Sequence, residues 1–253
     1  MGGIAFTLLL AASAGQVPPP PAAVEYGSFL AQPAYCEDKI LRGPLRPYAL
    51  QPGDIMLAAD SSVFWTAAHK IALTSHPTHS AIVFRRPDGT IAILEAGPHD
   101  TMRIRTLDAL PHLKSYEEEG RVWIRRRAVP LTKEQSDCLT SFALRQDGKR
   151  FAIGRLGQQL LPIATRGPIR TFFIGKPHGD RNSYFCSELV TEAMVAAGLI
   201  DARTARPSAT YPRDIFMDDS LNLYLKIHLK LAPCWDPPAR WVSSPVECMV
   251  EKK

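Results

Sequence analysis

A tight-turn sequence between two apolar segments restricts the fold of this chain more than any other feature. Residues 80–85 and 91–96 are short apolar runs, and Arg86-Pro87-Asp88-Gly89 lies between them. Proline presets the backbone for a type I turn, and glycine adopts the left-handed conformation that completes a three-residue hairpin loop. The two runs are therefore predicted to form an antiparallel hairpin in which Ala81 lies opposite Glu95.

This pairing places two titratable side chains on one face of the hairpin. His79 begins the first strand, and the register makes it a diagonal neighbour of Glu95 at about 7–8 Å between backbones. A two-residue loop would put the two side chains on opposite faces, so the turn type decides the inference. An imidazole beside a carboxylate is an arrangement that general-base catalysis uses, because the carboxylate orients the ring.

A cysteine occupies the predicted start of a helix in the C-terminal half of the chain. Residues 184–197 have an apolar helical pattern, with Asn182 or Ser183 as the predicted N-cap and Gly198 at the stop position. Cys186 then lies in the first turn, where N–H groups without an intrahelical acceptor and the helix dipole favour a thiolate. On this segment alone, a small buried cysteine in the core is the better interpretation.

A thiol, an imidazole and a carboxylate together are what acyl transfer through a thioester requires. In the chain order His79, Glu95, Cys186, they resemble the permuted papain-fold cysteine hydrolases of the YiiX/YebB-like type. These belong to the superfamily of NlpC-type cell-wall peptidases and lecithin retinol acyltransferases. The resemblance covers about residues 49–217 and rests on these stretches: Pro52-Gly53-Asp54-Ile55, Thr74 to Val83, Leu94-Glu95-Ala96, Tyr184 to Val190 and, more weakly, Tyr211 to Ile215.

The resemblance implies an α+β fold of the permuted papain-like, NlpC-type kind, with an antiparallel sheet or small barrel packed on helices. It implies Cys186 as nucleophile, His79 as general base and Glu95 as third member. The implied reaction is hydrolysis of an amide or ester bond, in a cell-envelope peptide or an acyl lipid, with no metal or organic cofactor. We also expect the backbone N–H of Cys186 to contribute to an oxyanion hole. The alternative is a non-catalytic binding module that retains the fold.

The remaining patterns complete an α+β domain over residues 49–231, with strands first and helices later. Further strands are predicted at 55–59, 121–127 and 221–231, the last by strict alternation of apolar and polar residues. Further helices are predicted after Asp60-Ser61, over 132–144 with a Thr132 and Gln135 capping box, and from Pro212. Residues 149–180 are predicted to form a short helix within a long loop, as a lid or substrate wall.

The two ends of the chain differ in composition from this domain. Residues 1–14 are an apolar run that ends in Ala12-Ser13-Ala14, and they predict a signal peptide and export to the periplasm, cell envelope or exterior. No Lys or Arg precedes the run, so either the true start lies further upstream or the leader is an unusual one. The run is too short to span a membrane. Residues 15–48 are predicted as a Pro-rich linker and 232–253 as a Pro-rich tail.

The basic charge does not predict a nucleic-acid partner. The net charge is +5, and the densest basic run, residues 121–127, alternates with apolar side chains as the solvated face of a strand does. Among the five cysteines, Cys138 is predicted to pack in the core. In an exported protein, two of the three outer cysteines could form a disulfide, and the sequence does not choose the pair among Cys36, Cys234 and Cys248.

Other titratable residues are given simpler interpretations. His76, His79 and Glu95 offer the ligand types of a metal site, but Pro77 disfavours the helix that usually presents such ligands, so we expect no metal there. Glu188 is expected to form a salt bridge or to serve as a charge at the helix start rather than to act in catalysis. The histidines without an obvious partner are interpreted as surface residues in loops: His99, His112 and His178.

Overall fold

The computed structural model describes residues 27–31, 43–60, 67, 70, 74–97, 101–159, 178–218 and 229–244. Ten strands lie within these residues: β1 (Phe29–Ala31), β2 (Leu45–Pro47), β3 (Ile55–Asp60), β4 (His79–Arg85), β5 (Ile91–Ala96), β6 (Ile104–Asp108), β7 (Gly120–Arg125), β8 (Arg150–Phe151), β9 (Ser183–Tyr184) and β10 (Ala239–Val242). The α-helices with defined bounds in the same part of the chain are α1 (Ala109–Glu119), α2 (Lys133–Gln146), α3 (Ile153–Gln159), α4 (Cys186–Ala196) and α5 (Pro212–Met217).

Eight of the strands form one antiparallel sheet. Its order is β2-β1-β10-β7-β3-β4-β5-β6, while β8 and β9 form a separate parallel pair. Strands β2 and β6 are the two edges, so the sheet is open over the described residues. The α+β class and the antiparallel sheet are confirmed, and the small barrel is not the form that the sheet takes.

Apolar side chains on both faces of the sheet build two hydrophobic cores. Along β4, Ile82 and Phe84 point to the face on which α2, α4 and α5 pack, whereas Ala81 and Val83 point to the face covered by α1. Because β4 is buried on both faces, its successive residues from Ala81 to Phe84 are all apolar. The helices on the two sides therefore reach the same strand from opposite directions.

The predicted hairpin is present with the predicted register. Ile82 pairs with Leu94, and the loop is closed by a hydrogen bond from Arg86 N to Thr90 O at 2.8 Å. Gly89 has a φ of +90°, the left-handed conformation that the three-residue loop requires. The turn residues were sufficient to set the pairing of β4 with β5.

Three predicted features of the later helices can be compared directly. The capping box of α2 is confirmed, since Gln135 N donates to Thr132 Oγ1 at 3.2 Å and the Gln135 side chain accepts from Thr132 N at 3.1 Å. The prediction that Cys138 packs in the core is wrong, because that residue faces solvent on α2. Helix α4 begins after Phe185 rather than after Asn182 or Ser183, because β9 pairs in parallel with β8 before the helix starts.

Both ends of the described chain contribute to the sheet. Strands β1 and β2 come from the predicted Pro-rich linker, and β10 from the predicted Pro-rich tail; β10 pairs with both β1 and β7. Trp235 and Trp241 are buried, and Trp235 Nε1 donates to Gly53 O at 2.8 Å. The described parts of these segments are therefore packed structure rather than the extended chain that their proline content suggested.

Several predictions fall on residues outside the described ranges. They are the signal peptide at 1–14, most of the helix after Asp60, most of the strand at 221–231, His99, Cys36 and Cys248. Cys234 is a free, exposed thiol. Within the described ranges, no helix combines the length and apolar character needed to cross a membrane.

Candidate active site

His79, Glu95 and Cys186 come together at one end of the central strands. His79 is the first residue of β4, and its side chain is 15% exposed. Its Nε2 lies 2.7 Å from Oε1 of Glu95, and the Cys186 thiol lies close enough to the ring to raise the pKa of His79. The structure thus joins all three predicted residues in one chain of contacts.

Cys186 is placed by the start of α4. Phe185 is the N-cap, so Cys186 is the first helical residue, and it is buried. The N–H groups of a first turn have no intrahelical acceptor, and they therefore surround the thiol with positive partial charge. Leu189 and Val190, one turn further on, pack into the core on the α4 side of the sheet and fix the helix against β4.

Glu95 lies on the opposite side of the sheet, under α1. Its side chain is fully buried, and by alternation it shares a face with Ile93. Tyr116 Oη donates to its Oε1 at 2.5 Å, and His112 Nε2 contacts its Oε2. His79, the first residue of β4, contacts Glu95 on this side of the sheet and lies beside the Cys186 thiol of α4.

The electrostatics of the pair favour an ion pair in the folded state. Burial alone would lower the pKa of His79, but the Glu95 carboxylate and the Cys186 thiol outweigh it and hold this pKa well above its ordinary value. Burial opposes ionisation of Glu95, yet His79 and His112 lower its pKa to about 2. Glu95 is therefore ionised at neutral pH, and an imidazolium at His79 is stabilised beside it.

Sequence reasoning missed two residues of this site, and both are on α1. The prediction of His112 as a surface loop residue is wrong: it is a buried helical residue in contact with Glu95. Tyr116 follows one helical turn later and is also buried. The i, i+4 spacing of His112 and Tyr116 was the available signal. It was not used because no helix was predicted at residues 109–119.

The remaining predicted residues have structural surroundings. Glu188 is buried and forms salt bridges with Arg155 at 2.8 Å and Arg181 at 3.5 Å, which agrees with the expected salt bridge. His178 is exposed. Among the residues that the structure describes, no group of three or more His, Cys, Asp or Glu side chains is arranged to hold a metal ion.

The Pro-Gly-Asp stretch before β3 supports the site rather than entering it. Asp54 is buried and accepts hydrogen bonds from Gln51 N at 3.0 Å, Arg127 N at 2.6 Å and the Tyr48 hydroxyl. Burial raises the pKa of Asp54 to about 6, although these hydrogen bonds oppose the rise. Gly53 has a φ of +88°, which favours glycine at this turn. The stretch therefore fixes the start of β3, the neighbour of β4.

The comparisons with known proteins give little beyond this geometry. No protein-family model matches the chain, and no curated protein matches it. Among solved structures, it is similar to the crystal structure of the metalloprotein YiiX from Escherichia coli O157:H7. The sequence identity is 20% and the TM-score 0.40, over 59% of this chain and 67% of that one. A similarity of this extent carries no conclusion about function.

Proposed function

We propose that this protein is a cysteine hydrolase of permuted papain-like, NlpC-type fold that cleaves an amide or ester bond through a thioester acyl-enzyme. The observation that carries the proposal is the pair of contacts made by His79. Its ring meets the Cys186 thiol on one side and the Glu95 carboxylate on the other. Nucleophile, base and orienting group are thereby connected in the order that thioester chemistry needs.

In the proposed reaction, Cys186 Sγ attacks the substrate carbonyl carbon while its proton resides on His79. The tetrahedral oxyanion is stabilised by N–H groups in the first turn of α4, including that of Cys186. The carbon to leaving-group bond then breaks, and His79 gives its proton to the leaving amine or alcohol. His79 next removes a proton from water, which attacks the thioester and releases the acid. Glu95 stabilises the imidazolium in both halves of the cycle.

We propose a cell-envelope peptide or an acyl lipid as substrate, and export to the envelope as the location. Exposed apolar side chains near the site favour the acyl lipid of the two. The parallel β8 and β9 pair brings Phe151 beside Tyr184, two residues before Cys186. Phe151 N also bonds Met102 O at 3.0 Å, and Met102 and Ile153 are 48% and 57% exposed. Such side chains suit contact with an alkyl chain.

The proposed function is tested first by labelling thiols with iodoacetamide between pH 5 and 9. An ordinary thiol is only about 0.3% ionised at pH 6, so a thiolate paired with an imidazolium should react one to two orders of magnitude faster. Cys138 and Cys234 are exposed free thiols in the same chain, and they serve as internal controls. We expect Cys186 to label faster than both despite being buried.

Variants then identify which residues activate the Cys186 thiol. His79→Ala should reduce Cys186 labelling at pH 6 to the rate of Cys138, and Glu95→Gln should reduce it partly. Cys186→Ala should abolish hydrolysis of acyl esters and peptide amides. If Cys186 reacts no faster than Cys138 in the native protein, the hydrolase proposal is wrong and the non-catalytic binding module takes its place.

The choice of substrate has a separate test. Met102→Ser with Ile153→Ser should lower turnover of long-chain acyl esters several-fold and leave Cys186 labelling unchanged, because both side chains are exposed and neither lies on an element that carries a site residue. Short-chain acetyl esters provide the matched control and should be hydrolysed at the native rate. An equal loss with both chain lengths, or no loss with either, would count against acyl-chain contact at this surface.

A further inference from the structure

Helix α1 presents two polar side chains to the buried carboxylate of the site. His112 and Tyr116 are one helical turn apart, and both are buried. His112 Nε2 contacts Oε2 of Glu95, and Tyr116 Oη donates to Oε1 at 2.5 Å. With His79 also on Oε1 at 2.7 Å, the two oxygens of Glu95 are held by three different side chains.

The chemistry of a carboxylate fixes how these contacts are made. An ionised carboxylate only accepts hydrogen bonds, so His112 must carry its proton on Nε2 and Tyr116 must keep its hydroxyl proton. Burial together with Glu95 raises the pKa of Tyr116, which keeps that proton in place. A fully buried charge without donors is costly, and the two α1 side chains supply donors that water supplies at a surface.

The same helix also restrains the imidazole. The rings of His79 and Tyr116 stack with centroids 5.6 Å apart and an interplanar angle of 15°. The rings of His112 and Tyr116 meet edge to face at 5.0 Å. A single helix face therefore restrains the carboxylate by hydrogen bonds and the base by ring contact.

Other charged groups approach this cluster from the neighbouring elements. Arg105 on β6 is the direct cross-strand partner of Glu95, and the Cys186 thiol faces His79 from α4. Glu119, at the end of α1, acts on Tyr116. None of these three replaces the contacts of His112 and Tyr116 with the Glu95 oxygens in the described structure.

From this geometry we infer that His112 and Tyr116 are positioning residues, which hold Glu95 ionised and aimed at His79. The inference rests on the proposed function for its consequence in catalysis. Neither residue touches the reacting atoms. Each acts through Glu95, and through Glu95 on the charge of His79.

The inference is tested by the titration of His79, followed by NMR of its ring nitrogens. His112→Leu removes one donor and leaves a buried lone pair of Glu95 unpaired, while Tyr116→Phe removes the hydroxyl and keeps the stacked ring. Either change should lower the pKa of His79, because a carboxylate that is no longer held facing the ring stabilises the imidazolium less. The rate of Cys186 labelling at pH 6 should fall with it.

Matched variants separate positioning from packing. His112→Gln keeps an N–H donor at about the position of Nε2 and should keep the native titration of His79. Lys114→Ala changes an exposed residue of the same helix and should have no effect. A lower melting temperature with an unchanged His79 titration in both His112→Leu and Tyr116→Phe would overturn the inference.

The two proposals fail in different ways. If Cys186 is reactive but its pH profile and the His79 titration are the same in all α1 variants, the positioning inference falls and the hydrolase proposal stands. If the His79 titration shifts as expected but Cys186 reacts like Cys138, the α1 side chains do position Glu95 and the hydrolase proposal falls.

Discussion

Glu95 is the residue whose charge the described surroundings control most strongly. A carboxylate with no exposed surface would ordinarily be neutral, since burial raises its pKa. Here the imidazole of His79 and the donor groups of His112 and Tyr116 reverse that preference. The charge is therefore stabilised more strongly in the folded protein than in the unfolded chain, where the carboxyl group has its ordinary pKa.

This charge makes stability depend on pH in a definite direction. The pKa of Glu95 falls from an ordinary 4.5 to about 2 on folding. The ionised group thus stabilises the fold above about pH 4.5, and the contribution is lost as pH falls towards 2. We expect a loss of up to about 3 kcal/mol in the free energy of unfolding across that window. The raised pKa of His79 acts at the other end, where its contribution is lost as pH rises through that pKa.

Urea denaturation of the native protein and of Glu95→Gln, at a series of pH values from 2 to 7, measures the acid contribution. The variant should show a flatter pH dependence below pH 4.5, because the amide does not titrate. Equal slopes for the two proteins would show that other carboxylates cause the acid loss.

At the scale of single residues, the sequence predicted the position of a side chain where a turn or a helix start determines it. The turn after β4 was enough to place His79 and Glu95 on one face, and the helical pattern placed Cys186 in a first turn. His112 and Tyr116 were missed because no helix was predicted at residues 109–119, a segment that contains Pro111. In the structure it lies in the first turn of α1, where the missing N–H of proline costs no hydrogen bond.

At the scale of elements, the end of β5 shows how close packing confines the site. Gly97 follows β5 with a φ of +77°, and a Cβ added there would lie 2.9 Å from Cδ2 of Phe151. Phe151 belongs to β8, which pairs with β9 just before α4. The contact between Phe151 and Gly97 thus helps to fix β5, which carries Glu95, relative to α4, which carries Cys186.

Gly97→Ala is therefore expected to destabilise the protein by about 2 kcal/mol or more, from left-handed backbone strain together with the clash. Gly89→Ala is the matched control, because Gly89 has a φ of +90° but no atom within 4 Å of an added Cβ. It should cost about 1 kcal/mol from strain alone. Thermal unfolding of both variants gives the comparison, and equal losses would show that Phe151 moves aside freely.

Pairing of distant segments was harder to predict than local elements. Strand β8 and strand β9 have only two residues each, and neither has a pattern that marks it as a strand. Their pairing nonetheless shifts the N-cap of α4 to Phe185, so that the helix begins at Cys186. A cap chosen from local preferences alone could not include that contact.

For the whole molecule, the sheet depends on strands from both ends of the described chain. Strand β10 lies between β1 and β7, so it holds β1 and β2 to the rest. Proline content suggested extended segments there, and only long-range pairing shows otherwise. The buried Trp235, with its ring under the guanidinium of Arg127 at 4.1 Å, fixes the approach to β10.

Trp235→Ala should accordingly lower the free energy of unfolding by about 3–5 kcal/mol, because it empties a large buried site and removes the bond to Gly53 O. Asp236→Ala is the neighbouring control. Its side chain pairs with Arg126 at the surface, and such a pair contributes less than about 1 kcal/mol. Similar losses for the two variants in urea denaturation would indicate that this segment is not part of the cooperative fold.

The position of His79, between helices on opposite faces of the sheet, has one more consequence. Glu95 is fully buried, whereas the side chain of His79 is 15% exposed and approaches the Cys186 thiol. A substrate rich in amides or hydroxyls could not divert Glu95 into its own hydrogen bonds, because that group is not accessible from the reacting side. The basicity of His79 is therefore set by a carboxylate that a substrate cannot contact.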